Sequence, residues 1–448
     1  MLRTVVLHAL LAIAVLAADE GYEERLRSAL QADFSEGKAT RVSALVADEI
    51  KAVLSLGRLE PIHAAQRERR GKVLSCKRLE ATPFRLNGPV LFRVDHERGA
   101  NLLTVVLNDD GRIVGYWIKP APPDWSLEET RKRIAAWSGD FGYERVVLDP
   151  EGEVLTRDAL ERGRQLFPLG SIFKLYILAE LASQLEQGSV TLEREVEIEE
   201  RLKSLPSGIL QNKPPGAKVS VREMVKGMIA ISDNTATDHL LHLVGREKVE
   251  AGLAGWHNSA PARNTPFLST REMFLIKGGG QEREVLDLDF NALLDRYAAA
   301  PVEERREIIG KLCAPWAQKT LAQMLPAIGF GYQLRTSSHP RHIELEWFAR
   351  PADINALLLD AHQRRLKGWK HFLNFYATGS EIYPRAGLKY YGYKGGSEPG
   401  VFALSVLVVR PDGRAVAICL CRCGELEADH AARTVEAVAA LVRLSLTD

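Results

Sequence analysis

The sequence predicts two folded domains of mixed class. One is a small α+β domain in which helices precede an antiparallel meander. The other is a larger α/β domain, with an antiparallel sheet flanked by its first and last helices and an all-helical half between. Three observations lead there. The 448 residues exceed what one hydrophobic core usually supports. Apolar spacing changes from helical to alternating near residue 73, and alternating runs return beyond residue 400. Lys119-Pro120-Ala121-Pro122-Pro123-Asp124 reads as a linker.

Met1-Leu2-Arg3 and the apolar stretch from Val5 to Ala18 have the pattern of a secretory signal peptide. The stretch is too short to span a bilayer comfortably. Ala17 and Ala18 precede the acidic Asp19-Glu20 as a cleavage point, and no cysteine stands there to carry a lipid. The expectation is removal of residues 1–18 and export to the periplasm or medium, with no stable membrane anchor.

The first domain, residues 19–119, opens with helical spacing from Glu23 to Leu56. Val73–Cys76, Val90–Val94, Leu102–Leu107 and Ile113–Ile118 then read as strands, the last following the turn signal Asn108-Asp109-Asp110-Gly111. This element order resembles the cone-shaped domain of steroid-isomerase-like proteins, the NTF2-like or cystatin-like folds.

Composition removes several function classes. The 59 basic and 58 acidic residues nearly cancel, leaving no electrostatic footprint for nucleic acid. Arg67-Glu68-Arg69-Arg70 reads as a solvated helix face. Cys419, Cys421 and Cys423 alternate along one strand, so they share a face and cannot bridge one another readily; they read as small buried hydrophobes. Cys76 and Cys313 are unassigned. His239 and His242 sit three apart on a helix without a third ligand, which places them at the surface rather than on a metal. No cofactor is expected.

A linker at 120–125 leads to the second domain, 126–448. It begins with a helix at Leu127–Trp137 and a strand at Glu144–Leu148. It closes with a strand at Val401–Val409, a Pro411-Asp412-Gly413 turn, the cysteine strand and a helix from Glu427 to Leu444. Between these ends lie three motifs in fixed order: Ser171-Ile172-Phe173-Lys174, Ser232-Asp233-Asn234 and Lys394-Gly395-Gly396. Ser171 opens a run apolar almost all round, hence a buried helix, with the positive dipole end at its first turn. Lys174, one turn on, lies on the same face. Ser220-Val221-Arg222-Glu223 is a capping box that starts the helix running into Ser232. Two decoys exist. Ser35-Glu36-Gly37-Lys38 matches the first motif but does not open a buried apolar helix. Lys277-Gly278-Gly279-Gly280 matches the third, but it ends a helix capped by Ser269 and Glu272, so its glycines read as C-caps. Lys394-Gly395-Gly396 instead leads into Ser397 and the strand from Val401, where glycine would let a substrate approach the backbone.

Together these motifs, and the 61 residues from Ser171 to Ser232, resemble the class A β-lactamase and penicillin-binding superfamily over Trp125–Asp448. With its N-terminal module the chain is similar to a two-domain serine hydrolase group found in clavulanic-acid clusters. The resemblance implies Ser171 as nucleophile, Lys174 as its base and Ser232 as proton relay to the leaving group. It further implies Asn234, Gly396 and Ser397 as substrate contacts, Lys394 as the cation for a substrate carboxylate, and backbone N–H groups of Ser171 and Ser397 as oxyanion hole. The partner implied is a small β-lactam, ester or peptide-like molecule.

Three features depart from the pattern. Gly395 stands where threonine is usual, removing a hydroxyl for the substrate carboxylate, and Ser397 is expected to compensate in part. Gln281–Pro340 reads as a helical insertion, since 162 residues separate Ser232 from Lys394. Ala251–Thr270, where the omega loop should supply a deacylating glutamate, has no Asp or Glu. Glu272 reads as a cap, and Glu398 should point away from Ser397. The expectation is an exported serine hydrolase with weak β-lactam turnover. The alternatives are a slow acyl acceptor like the penicillin-binding proteins, or a ligand-binding protein with a vestigial second half.

Overall fold

A computed structural model describes residues 21–52, 54–79, 88–204, 207–278, 293, 296, 297, 299–314, 317, 319–323, 342–385, 387–427 and 429–447. The expected signal peptide, 1–18, lies outside these residues, as does most of the expected insertion at 281–340. The chain divides into two compact units, Met1–Asp124 and Trp125–Asp448.

In the first unit the helical stretch is broken rather than continuous. Residues 21–36 form one helix, α1, and Gly37 reverses the chain at φ +68°. A short α2 (Thr40–Ala44), a 3₁₀ turn (Asp48–Ile50) and α3 (Leu56–Arg70) follow. Strands β1 (Val73–Arg78), β2 (Gly88–His96), β3 (Gly99–Leu107) and β4 (Ile113–Pro120) pair in chain order as an antiparallel meander. Its inner face buries Phe92, Val94, Leu103 and Val105 with Leu30 and Phe34 of α1. His63 is buried in this core with both ring nitrogens engaged, by Lys38 O at 2.6 Å and Tyr116 Oη at 2.7 Å. The decoy Ser35-Glu36-Gly37-Lys38 straddles the end of α1, and neither later motif belongs to this unit.

The second unit begins with α4 (Leu127–Ala135), β5 (Asp140–Leu148) and β6 (Val154–Arg162). The helical half holds α5 (Lys174–Glu186), α6 (Val221–Ala230), α7 (Asn234–Val244), α8 (Arg246–Gly252) and α9 (Thr270–Gly278). Next come α10 (Val302–Cys313), α11 (Pro351–His362) and α12 (Trp369–Tyr376). The closing elements are β7 (Tyr390–Glu398), β8 (Val401–Val409), β9 (Ala415–Cys423) and α13 (His430–Thr447). The sheet order is β7-β8-β9-β5-β6, antiparallel throughout.

Alternation along the sheet feeds two cores. Val406, Val408, Val416, Ile418 and Leu420 pack under α4 and α13 with Ile134, Leu441 and Val442. Leu407, Ala417, Cys419, Cys421 and Cys423 face the helical half. All five cysteines are free thiols, and the three on β9 are buried hydrophobes on one face. Two edges were missed by pattern. β6 is largely solvated and lacks the apolar alternation of the other strands. β7 carries the motif Lys394-Gly395-Gly396 within it, rather than before the strand from Val401.

Candidate active site

The site lies where the start of α5 meets the edge strand β7. Residues Gly170–Phe173 form a 3₁₀ turn, and α5 continues from Lys174 with nearly every side chain buried. The turn docks on β7 through two glycines. A Cβ at Gly396 would overlap Leu169 O and come within 2.5 Å of Ser171 N. A Cβ at Gly170, whose φ is +47°, would lie 2.9 Å from Ser397 N. Gly396, expected to open the strand to substrate, therefore opens it to the turn bearing Ser171. The same docking sets two N–H groups side by side. Ser171 N is in the first turn of a helix, where donors lack intrahelical partners. Counting back from the two-residue Pro399-Gly400 turn, Ser397 occupies a position whose N–H points off the edge of the ladder.

Ser232 ends the approach of α6 and sits at φ +58°, a left-handed conformation that costs a non-glycine residue about 1–3 kcal/mol. Two donors hold it there: Lys174 Nζ and Ser207 Oγ reach its carbonyl oxygen at 2.7 and 2.6 Å. Asp233 follows as N-cap of α7 and also accepts from Ile209 N and Leu210 N, which fixes the loop carrying Ser207. Ser207 is a contributor that sequence reasoning missed; nothing local separates it from an ordinary loop serine.

Both lysines converge on one oxygen. Lys174 Nζ lies 3.0 Å and Lys394 Nζ 3.1 Å from Ser232 Oγ. Lys174 also bonds Asn234 Oδ1 at 2.6 Å, and Lys394 also bonds Gly395 O at 2.7 Å. Burial, reinforced by the neighbouring charge of Lys394, pushes the Lys174 amine well below its usual range. An uncharged amine has two hydrogens and one lone pair. Here the hydrogens serve Ser232 O and Asn234 Oδ1, and the lone pair accepts from Ser232 Oγ–H. Burial likewise brings Lys394 down to about 7. The expected base thus bonds Ser232 and Asn234, while among the described residues the Ser171 hydroxyl has no hydrogen-bond partner. Asn234, expected to orient substrate, spends its side-chain oxygen on the lysine.

A cavity of about 550 Å³ opens over these groups, lined by Ser171, Ser232, Asn234, Lys394 and Ser397 among others. A larger cavity of about 660 Å³ lies beyond α7, among Arg201, Arg246, Arg271 and Glu272, and none of the motif residues lines it. No carboxylate among the described residues lines the Ser171 cavity. The candidates are engaged elsewhere. Glu272 caps α9 through Ser269 N at 2.8 Å and pairs with Arg246 at 2.8 Å. Glu398 is buried against Lys277, which also holds Glu346 at 2.5 Å. Burial and the adjacent Glu346 carboxylate raise Glu398, while the two carboxylates outweigh burial and keep Lys277 charged. Lys277, the decoy, thus points into this cluster rather than the cavity. Segment 251–270 is pinned by amides instead: Asn258 Nδ2 and Asn264 Nδ2 each donate to Phe348 O at 2.9 Å. His239, expected at the surface, is buried; its Nδ1–H donates to Thr235 O at 2.7 Å and its Nε2 accepts from Glu199 N at 2.9 Å.

Residues 152–293 match the Beta-lactamase enzyme family. The matched segment contains Ser171, Lys174, Ser232 and Asn234, and identifies a serine hydrolase of the β-lactamase type. No curated protein matches the chain. Among solved structures, a β-lactamase from Sphaerobacter thermophilus is 17% identical, covering 71% of this chain and 95% of that one, with a TM-score of 0.45. PBP-A is 16% identical over 72% and 97%, also at 0.45. A β-lactamase from Chitinophaga pinensis is 16% identical over 71% and 96%, again at 0.45.

Proposed function

We propose that the protein is an exported acyl-transfer enzyme that opens β-lactams or related esters and amides on Ser171 and releases the acyl group slowly. The observation that carries this reading is the convergence of Lys174 and Lys394 on Ser232 Oγ, in a cavity that holds Ser171 but no described carboxylate. Ser171 Oγ attacks the carbonyl carbon, and its proton passes to neutral Lys174 once the amine lone pair turns from Ser232 Oγ–H to the Ser171 hydroxyl. The carbonyl oxygen becomes an anion facing the N–H groups of Ser171 and Ser397. On collapse the C–N or C–O bond breaks, and the leaving atom takes the proton from Lys174 through Ser232 Oγ. Lys394 attracts the substrate carboxylate.

Hydrolysis of the acyl-enzyme needs a base for water, worth about 10²–10⁴-fold. The missing carboxylate favours long-lived adducts, so the slow acyl acceptor is the neighbouring reading. The first unit, helices followed by a four-stranded meander, supports an NTF2-like assignment, and we take it as an accessory binding module. Intact mass spectrometry after incubation with a penicillin and with a neutral ester tests the whole reading. The expected result is a stoichiometric adduct on the wild type, persistent with the penicillin and absent in Ser171→Ala. Unmodified wild-type protein with both compounds would overturn it.

A further inference from the structure

We infer that the Tyr393 hydroxyl is a substrate-binding group of this site, donating a hydrogen bond to the carboxylate that Lys394 attracts. The inference rests on reading the Ser171 cavity as the acylation site. It starts from the missing side chain at Gly395. Tyr393 and Gly395 lie two apart on β7, on the face turned toward Leu404 and Val406 of β8. The ring of Tyr393 folds back along the strand. A Cβ built on Gly395 would overlap the phenol oxygen and lie 3.1 Å from Cζ. The hydroxyl therefore fills the space that a threonine side chain at 395 would enter. Glycine at 395 leaves that place to the tyrosine.

The hydroxyl is also open. Every other tyrosine of the strand uses its oxygen: Tyr390 donates to Leu373 O at 2.8 Å, and Tyr391 accepts from Ile382 N at 2.9 Å. Among the described residues Tyr393 Oη has no partner, and Tyr393 lines the cavity together with Lys394, Gly395 and Ser397. A half-buried phenol usually finds a partner, so an unpaired one in a cavity is a vacant donor. Burial pushes its pKa up, so it keeps its proton as a donor must. Phe402 and Leu404 also line the cavity, and apolar walls strengthen a charge-assisted bond. Lys394 supplies the charge and Tyr393 the direction. The substrate class is then an acyl donor with a carboxylate placed to meet both.

The test compares acylation kinetics of wild type and Tyr393→Phe with a carboxylate-bearing penicillin and a neutral ester. Phenylalanine keeps the ring packing and deletes only the hydroxyl. The expected result is a fall in acylation efficiency for the penicillin at least about tenfold larger than for the ester, carried by KM, as loss of a bond to a charged group implies. Tyr393→Ala combined with Gly395→Thr returns a hydroxyl from the neighbouring position and should recover selectivity for the penicillin. Equal responses of the two substrates to Tyr393→Phe, with acylation intact, would overturn the role of Tyr393 alone. Absence of any adduct on the wild type would overturn the site reading and this inference together.

Discussion

Lys394 makes the sharpest prediction, because its charge should decide between substrates as pH changes. Burial places its amine at about 7, with the residue 3% exposed. At pH 6 about nine-tenths of free enzyme would carry the charge, and at pH 8 about one-tenth. kcat/KM reports groups of the free enzyme. For a penicillin, whose carboxylate is ionised throughout this range, the acylation efficiency should fall about tenfold from pH 6 to pH 8, then about tenfold per further unit. Lys174 acts with the opposite sign: it must be neutral, so its titration trims activity on the acidic side, well below its ordinary range. A neutral ester does not need the charge on Lys394 and should lack the descending limb. The assay is stopped-flow acylation of both substrates from pH 5 to 9, with Lys394→Met as control. Superimposable profiles for the two substrates would refute the role of the Lys394 charge. A penicillin rate that climbs from pH 6 to 8 would mean that Lys174 titrates there instead.

Three further outcomes follow from particular contacts. A chromogenic cephalosporin should give a burst of about one equivalent and then turnover slower by about 10²–10⁴-fold than an enzyme with a carboxylate base; fast turnover without a burst would show that a base reaches the acyl group. Gly396→Ala should force the Ser171 turn off β7, cutting acylation about 10²-fold with the protein still folded, as thermal melting and the acylation rate together would show. Lys277→Met should leave Glu346 and Glu398 buried without their cation and lower unfolding free energy by about 3–5 kcal/mol in denaturant titration, with partial recovery on adding Glu346→Gln.

Local chemistry carried much of this protein into view from residue order alone. A serine and a lysine one turn apart on an apolar run must share the face of a buried helix, so Ser171 and Lys174 were legible. The capping boxes at Ser220 and Ser269 were legible for the same reason: each is closed within four residues. Alternation placed all four strands of the first unit within a few residues of their observed bounds, and it sorted the cysteines of β9 onto one face.

What depends on packing between distant segments was not legible. The ridge of Gly170 against Gly396 joins residues more than two hundred apart, and only their contact shows why neither tolerates a side chain. Lys277, Glu346 and Glu398 come from three elements, and a buried charge cluster has no periodicity to betray it. His239 was misplaced because three-residue spacing says which side of α7 it occupies, but not that residues 199–204 cover that side. Tyr393 is the clearest case. Sequence shows a glycine where a hydroxyl was expected, and only the folded strand shows the neighbouring phenol lying over the gap. Helices and strands arise from interactions within a few residues, so sequence spacing determines them. A site is made of approaches across the fold, and those are decided only when the sheet edge and the helix start meet.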